Sequence, residues 1–409
     1  MNKAFSLRNT RMTHYARLAA SGAAVALLAG CSTVPDVAVD YADVPASEFD
    51  IDFVVEGLDH AWGMEILPEP YSDWALVTER LGRLSLINLE TGEQQAVSGA
   101  PEVVAQEQAG LLDVLVWSAS DSDYLWVYLT WAGANPDNVE QSATHTGRAM
   151  LDLDEPALQG LETLNIATPW DTETAHYGSR LVIGSDEHLY ITQGDRREGD
   201  AAQDLSSHWG KTLRLHLDGS IPEDNPFVDD PDALDAIHTY GHRNSQAMAV
   251  EPSTGLIWQG EHGERNGDEI NVIDQPGANY GWPVATYGRD YVFRTPIGDI
   301  PTDRDDTVNP IYFWTTDNYD DDVEGFPPSG MAFYEGAAFP DWQGDLLMGS
   351  LWHQYLGRFE RDDRQITFEH RMLRSEGWRV RDVNVHPETG YVYLLVDAED
   401  APLVRVRPR

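Results

Sequence analysis

The chain has 409 residues, with 69 acidic against 27 basic side chains and a formal net charge of -42. So negative a molecule is a poor partner for nucleic acid or for anionic membrane surfaces. One cysteine excludes a disulfide framework, and 34 glycines with 23 prolines leave little room for long helices.

In chain order, Lys3, Arg8, Arg11 and Arg17 precede an uncharged run over residues 18–30 that is too short to span a bilayer and has the form of an export signal. Leu28-Ala29-Gly30-Cys31 resembles the lipobox of bacterial lipoproteins, which makes Cys31 the expected lipidation site and 1–30 the leader. By the same resemblance, Ser32 favours the periplasmic face of the outer membrane, with membrane contact through the lipid anchor only. The alternative is an ordinary cleaved signal beside an accidental cysteine. Loss of the leader would move the net charge from -42 to -46. Lys3 and Lys211 are the only lysines, and acid excess with so little lysine suggests a salt-rich habitat where counterions screen self-repulsion. Acidic runs at 303–306 and 317–324 therefore read as solvated surface rather than metal cages.

Residues 31–52, rich in Val, Asp, Ala and Pro, read as a tether, and 53–409 as one all-β domain. Six short β-rich runs, each after turn chemistry, recur at 74–78, 125–129, 189–192, 256–258, 346–348 and 392–395. Two lead-ins are nearly the same, Val250-Glu251-Pro252-Ser253-Thr254-Gly255 and Val385-His386-Pro387-Glu388-Thr389-Gly390. Recurrence every fifty to ninety residues predicts a six-bladed β-propeller of four-stranded antiparallel blades. A large sandwich or two barrels would also use six apolar strands, but fit the long uneven insertions less well.

His176 and Asp195 lie in loops at the two ends of a short strand pattern. A neutral imidazole can take a hydroxyl proton, and a carboxylate on its other nitrogen fixes the tautomer. With 13 histidines and 69 acids such a pairing arises by chance, so the neighbours carry weight: Gly178 and Gly194 flank the pair, as where backbone closely approaches something bound. Dinucleotide-binding, Walker, zincin and nucleophile-elbow motifs are absent, which argues against a nicotinamide enzyme, an NTPase, a metalloprotease or an α/β-hydrolase.

Several segments together resemble the soluble-type PQQ-dependent sugar dehydrogenase family, in its aldose sugar dehydrogenase branch. They include Gly57-Leu58-Asp59-His60-Ala61-Trp62-Gly63-Met64, Tyr240-Gly241-His242-Arg243-Asn244 and Gly277-Ala278-Asn279-Tyr280-Gly281-Trp282-Pro283. The resemblance implies a propeller holding pyrroloquinoline quinone (PQQ) and Ca2+ at the mouth of its channel, oxidising an aldose at C1 to the lactone, with the electron acceptor unassigned. His176 then matches the general base, Asp195 its orienting partner, Arg243 the arginine near the reactive carbonyl, and Gln108 and Asn244 amides beside the cofactor. Arg379 and Arg381 match a pair gripping PQQ carboxylates, as a planar guanidinium suits. Backbone carbonyls of Gly263 and Glu264 match the calcium ligands, and Glu269 with Tyr280 a second, structural calcium site. This chain departs from the pattern at four points, one being Glu264 where proline is usual, a change that a carbonyl ligand tolerates. Glu107 stands where glycine is usual, Trp352 replaces a lysine that meets the cofactor but can itself stack on the quinone, and an acidic insertion occupies 318–325. Two alternatives stay open: a cofactor-free propeller lipoprotein serving as sugar-binding or envelope scaffold, and a calcium-dependent propeller lactonase.

Overall fold

The computed structural model describes residues 39–118, 124–314 and 325–409. The expected leader, Cys31 and all of the 318–325 insertion except Gly325 lie outside the described residues.

Six four-stranded antiparallel units follow one another along the chain as the blades of a propeller. Their innermost strands are Ala61–Ile66, Leu111–Trp117, Gly178–Ile183, Ser245–Val250, Pro328–Phe333 and Val380–Val385. These touch in sequence around a ring, the last against the first. The second strands are Trp74–Glu79, Leu125–Asn135, His188–Gln193, Ile257–Glu261, Leu346–Ser350 and Val392–Val396. Each of the six expected apolar runs falls in a second strand. That position is paired on both edges and covered by neighbouring blades on both faces, so its apolar run need not alternate. The repeated lead-ins are equivalent turns: Gly255 N–H bonds the Glu251 carbonyl and Gly390 N–H the His386 carbonyl, with φ of 75° and 70° that favour glycine.

The ring closes through the N-terminal side of the domain. Phe49–Leu58 pairs antiparallel with Ala401–Pro408 as the outer strand of blade six, and Tyr41–Val44 adds in parallel to Gln365–Met372 of blade five. Part of the expected tether, residues 41–44 and 49–52, is therefore strand. Its acids hid the alternation: Phe49 packs edge-on to Phe339 and Trp342, while Asp52 faces Arg405 and Arg407.

The core lies between blades. Trp258 and Met348 pack with Phe333 and Phe359 at the blade four to five seam, while Leu347 and Leu356 of blade five fill the next with Val392, Leu394 and Val396 of blade six. Replacing buried Trp258 by Ala would cost about 3–5 kcal/mol. At the channel axis Arg180 bonds Asp113 (2.8 Å), the Gln246 carbonyl (2.7 Å) and the Arg381 carbonyl (3.0 Å), and pairs with Asp382 at 3.0 Å. One guanidinium thus ties four blades together beneath the rim where the inner strands begin.

Candidate active site

Loops that enter the inner strands meet at one end of the ring. Gln108, His176, Arg243, Asn244 and Pro327 come just before their strands, and Arg379 just before the sixth. Asp195, Gly263, Glu264, Trp352 and Asp397 leave second strands at the same rim. Together they border two cavities of about 1190 and 230 Å³ that share Gln108, His262, Pro327 and Trp352.

His176 Nδ1 lies 2.7 Å from Asp195 Oδ1, and its backbone N–H donates to Gln108 Oε1 at 2.9 Å. Burial, with the Arg243 charge nearby, pushes the imidazole below its ordinary range despite the bond to Asp195. A neutral ring that donates from Nδ1 has its Nε2 lone pair available as a base. Burial alone would raise the Asp195 carboxyl, but the His176 hydrogen bond and the His176 and Arg243 charges hold it low. Asp195 also accepts from Trp282 Nε1 at 2.7 Å and from the Arg197 N–H at 2.9 Å. Gly178 and Gly194 serve a different closeness from the one expected. A Cβ on Gly194 would lie 2.0 Å from the His176 carbonyl oxygen, and one on Gly178 would lie 2.7 Å from Gly194 N, so the glycines let the two loops approach each other.

Arg243 is buried, donates from Nε and Nη2 to Glu264 Oε2, and stands 5.3 Å from the Trp282 ring. Asn244 Oδ1 accepts from the Gly178 N–H at 3.1 Å, which fixes the His176 loop. Across the groove, Arg379 and Arg381 reach the same oxygen, Asp397 Oδ2, at 3.1 and 2.8 Å. Arg381 also bonds Gln246 Oε1 at 2.8 Å, while its buried Nε has no partner.

The Glucose / Sorbosone dehydrogenase family model matches residues 58–405. The chain belongs to that family. It is 35% identical to the aldose sugar dehydrogenase YliI of Escherichia coli (strain K12), over 88% of this chain and 93% of that one. It is 28% identical to quinoprotein glucose dehydrogenase B of Acinetobacter calcoaceticus, over 90% of each. The crystal structure of the soluble aldose sugar dehydrogenase from Escherichia coli in the apo-form superposes with a TM-score of 0.80 at 34% identity, covering 88% of this chain and all of that one.

In this sugar dehydrogenase, an oxidoreductase by family, the departures have structural counterparts. Glu107 holds φ 48°, a left-handed backbone that glycine adopts without strain. Trp352 is 73% exposed and borders both cavities. Lys211 cannot stand in for the missing lysine, because its ammonium is buried against the Ala201, Ala202 and Trp209 carbonyls, and burial pushes it down to about 7.

Gly263 and Glu264 border the larger cavity beside Asp268, whose oxygens accept from the Gly263 and Phe326 N–H groups. Burial raises Asp268 to about 6. Glu269 and Tyr280 have different partners. Burial and the Glu261 charge raise Glu269, which faces Asn271, whereas Tyr280 donates to the Val272 carbonyl and stacks on His242. Among the described residues no group of three or more His, Cys, Asp or Glu is arranged to hold a metal.

Sequence reasoning assigned no role to Trp282, His262 or Asp397. Trp282 orients Asp195, Asp397 gathers both arginines, and His262 donates to the Pro328 carbonyl at 2.7 Å while burial pushes it down to about 3. Trp282 stood within a family motif, which was the one available signal. No motif marked the other two: His262 reaches Pro328, 66 residues on, and Asp397 reaches arginines 18 and 16 residues before it.

Proposed function

We propose that the protein oxidises an aldose at C1 to the lactone with pyrroloquinoline quinone and calcium at this rim. The observation that carries the reading is His176, oriented by Asp195, bordering one cavity with Arg243, while the Arg379–Arg381 pair borders a second that shares Gln108, His262, Pro327 and Trp352 with it. The donor set suits a planar polycarboxylate: Arg381 Nε and Arg80 Nε are buried without partners at one cavity, and Trp352 offers an exposed ring beside them. Gly263 and Glu264, whose backbone carbonyls would be hard oxygen donors for calcium, border the other.

Bound there, the quinone would accept the hydride from C1, with calcium polarising the receiving carbonyl. The chain's own work is proton handling and positioning. His176 Nε2 takes the proton from the anomeric hydroxyl as the C1–H bond breaks, and Asp195 stabilises the resulting imidazolium. Arg243, bordering the same cavity as His176, would stabilise negative charge developing on the receiving oxygen of a quinone bound there. Trp282 and Asn244 hold these groups in register, and Arg379 with Arg381 would supply positive charge, with Arg381 Nε as a free donor, to carboxylates.

The reading extends to an export signal over 1–30 and lipid attachment at Cys31, facing the periplasm from the outer membrane, which labelling of wild type and C31A with radioactive palmitate tests. For the chemistry, PQQ with calcium is titrated into the purified protein. A saturable quinone chromophore that an aldose bleaches supports the reading. No uptake of PQQ would leave the cofactor-free scaffold instead.

A further inference from the structure

The cavity mouth carries an apolar tip of which only Tyr291 reaches the site, beside Arg243. Tyr291, Val292 and Phe293 are 55, 77 and 78% exposed, and Ile297 is 37% exposed behind them. The tip is ordered: Asp290 Oδ1 accepts from the Val292 and Phe293 N–H groups at 2.8 and 2.6 Å, and the Arg294 N–H returns to the Asp290 carbonyl at 3.0 Å. That turn directs two large side chains into water at a definite place. Tyr291 and Ile297 border the 1190 Å³ cavity together with Trp352, which is itself 73% exposed. Exposed apolar side chains at a cavity mouth rimmed by polar residues are the kind of surface that binds a partner.

We infer that this rim is the docking surface for a positively charged, one-electron carrier protein that reoxidises the site, an inference resting on the dehydrogenase reading above. Each sugar oxidised to lactone releases two electrons and two protons. Two carrier molecules in succession each take one electron, and the protons leave to water through the open mouth. A folded carrier cannot enter the groove, so it must sit on its edge. Charge selects its sign: the chain is -42 overall, and Glu198, Asp200, Glu264 and Asp290 border the mouth against Arg197, Arg243 and Arg265. Arg289 and Arg294 at the base of the tip bring the rim itself close to charge balance, so the sign is selected by the field of the whole molecule. In concentrated salt the field is screened, and contact then rests on Val292 and Phe293. A small apolar centre in a charged surround is the form of transient redox encounters. An anionic membrane is disfavoured by the same charge.

The test uses V292S/F293S, which alters neither a cavity-bordering residue nor the Asp290 turn. Binding of a lysine-rich c-type cytochrome to the metal-free, cofactor-free chain is measured by calorimetry at low and high ionic strength. Wild type is expected to bind more weakly as salt rises, and the variant to bind about tenfold more weakly still. With the loaded enzyme, KM for the cytochrome rises by a similar factor, while KM for sugar and turnover with a small dye stay unchanged. Equal cytochrome binding by the two proteins overturns the inference. So does a raised sugar KM with dye, a dimer that only wild type forms in sedimentation, or wild-type binding to phosphatidylcholine vesicles that the variant loses. Absence of dye-linked sugar oxidation would instead remove the dehydrogenase reading, with the calorimetry still judging the surface.

Discussion

Glu264 holds Arg243 through a single oxygen, Oε2, which accepts from Nε at 2.9 Å and Nη2 at 2.5 Å. The carboxylate is partly exposed and the guanidinium buried, so the acid supplies countercharge to a group that could not otherwise remain there cheaply. E264Q keeps the shape and the backbone carbonyl but removes the charge. It should lower stability by about 1–3 kcal/mol, read by chemical denaturation. It should also move the acid limb of kcat/KM to lower pH, because losing a nearby negative charge disfavours protonated His176. A limb that moves upward would contradict this electrostatic coupling.

The His176–Asp195 pair gives the sharpest prediction for activity. H176Q removes the base and should cut kcat by about 10²–10⁴ with PQQ uptake intact. D195N should lose both rate and stability, since Asp195 faces three donors and an amide can accept on only one of its atoms. Burial holds the folded imidazole below its ordinary value, so it keeps its free lone pair to more acidic pH than an exposed histidine would. The midpoint of the acid limb of kcat/KM should therefore lie below pH 6.5. A decline centred at or above 6.5 would show that another group titrates.

The parts legible in the sequence were those written in neighbouring residues. Second strands were visible because their runs are continuously apolar. Inner strands were not, because they line a polar channel: Arg180 interrupts Gly178–Ile183, and Arg381 with Asp382 interrupts Val380–Val385. Ring closure was hidden for a different reason, since Phe53 pairs with Val404 across almost the whole chain. In the site, family motifs carried His176, Asp195 and Arg243, and the structure brings all three to one cavity. Asp397 was missed because no motif marks it, although Arg379 and Arg381 stand only 18 and 16 residues before it; its other partner, His60, lies 337 residues away.

Arg381 should decide cofactor affinity rather than rate. Its Nη2 and Nη1 are committed to Asp397 and Gln246, yet its Nε is buried and unpaired. R381A removes a charge-assisted contact and should weaken PQQ binding by roughly 1.5–3 kcal/mol, about 10–150-fold, with kcat at saturation unchanged. R379A should do less, because that side chain is 39% exposed. Fluorescence titration of tryptophan quenching checks both, and identical affinity for R381A and wild type would remove the arginine from the cofactor's grip.

Trp352 separates stacking from simple vacancy. If its exposed ring covers the cofactor, W352A should weaken binding by about 0.5–1.5 kcal/mol, while W352K should trade stacking for a charge-assisted bond and bind at least as tightly as wild type. The same titration reads both variants. W352A binding more tightly than wild type would mean that the indole obstructs the groove.

Acid stability isolates one buried group away from the rim. His238 is 5% exposed, meets the Tyr190 ring edge-on at 5.1 Å, has no partner for Nδ1, and is pushed down to about 4 by burial and then by the Arg214 charge. Between pH 6.5 and 4 the unfolded chain binds a proton here that the folded chain refuses. Stability therefore falls as pH drops, by about 1.4 kcal/mol per unit from this residue. Buried carboxyls such as Asp113 and Asp268, both raised to about 6, take up protons in the folded state over the same window and work in the opposite direction. Total stability is thus a mixed readout, whereas the difference between H238F and wild type is not. Phenylalanine keeps the ring contact, and any packing cost is the same at every pH. From pH 7.5 to 4.5 the difference should shift by about 2 kcal/mol in favour of H238F, measured by denaturant unfolding at each pH. A difference that does not change with pH would mean that His238 titrates alike in the folded and unfolded chains.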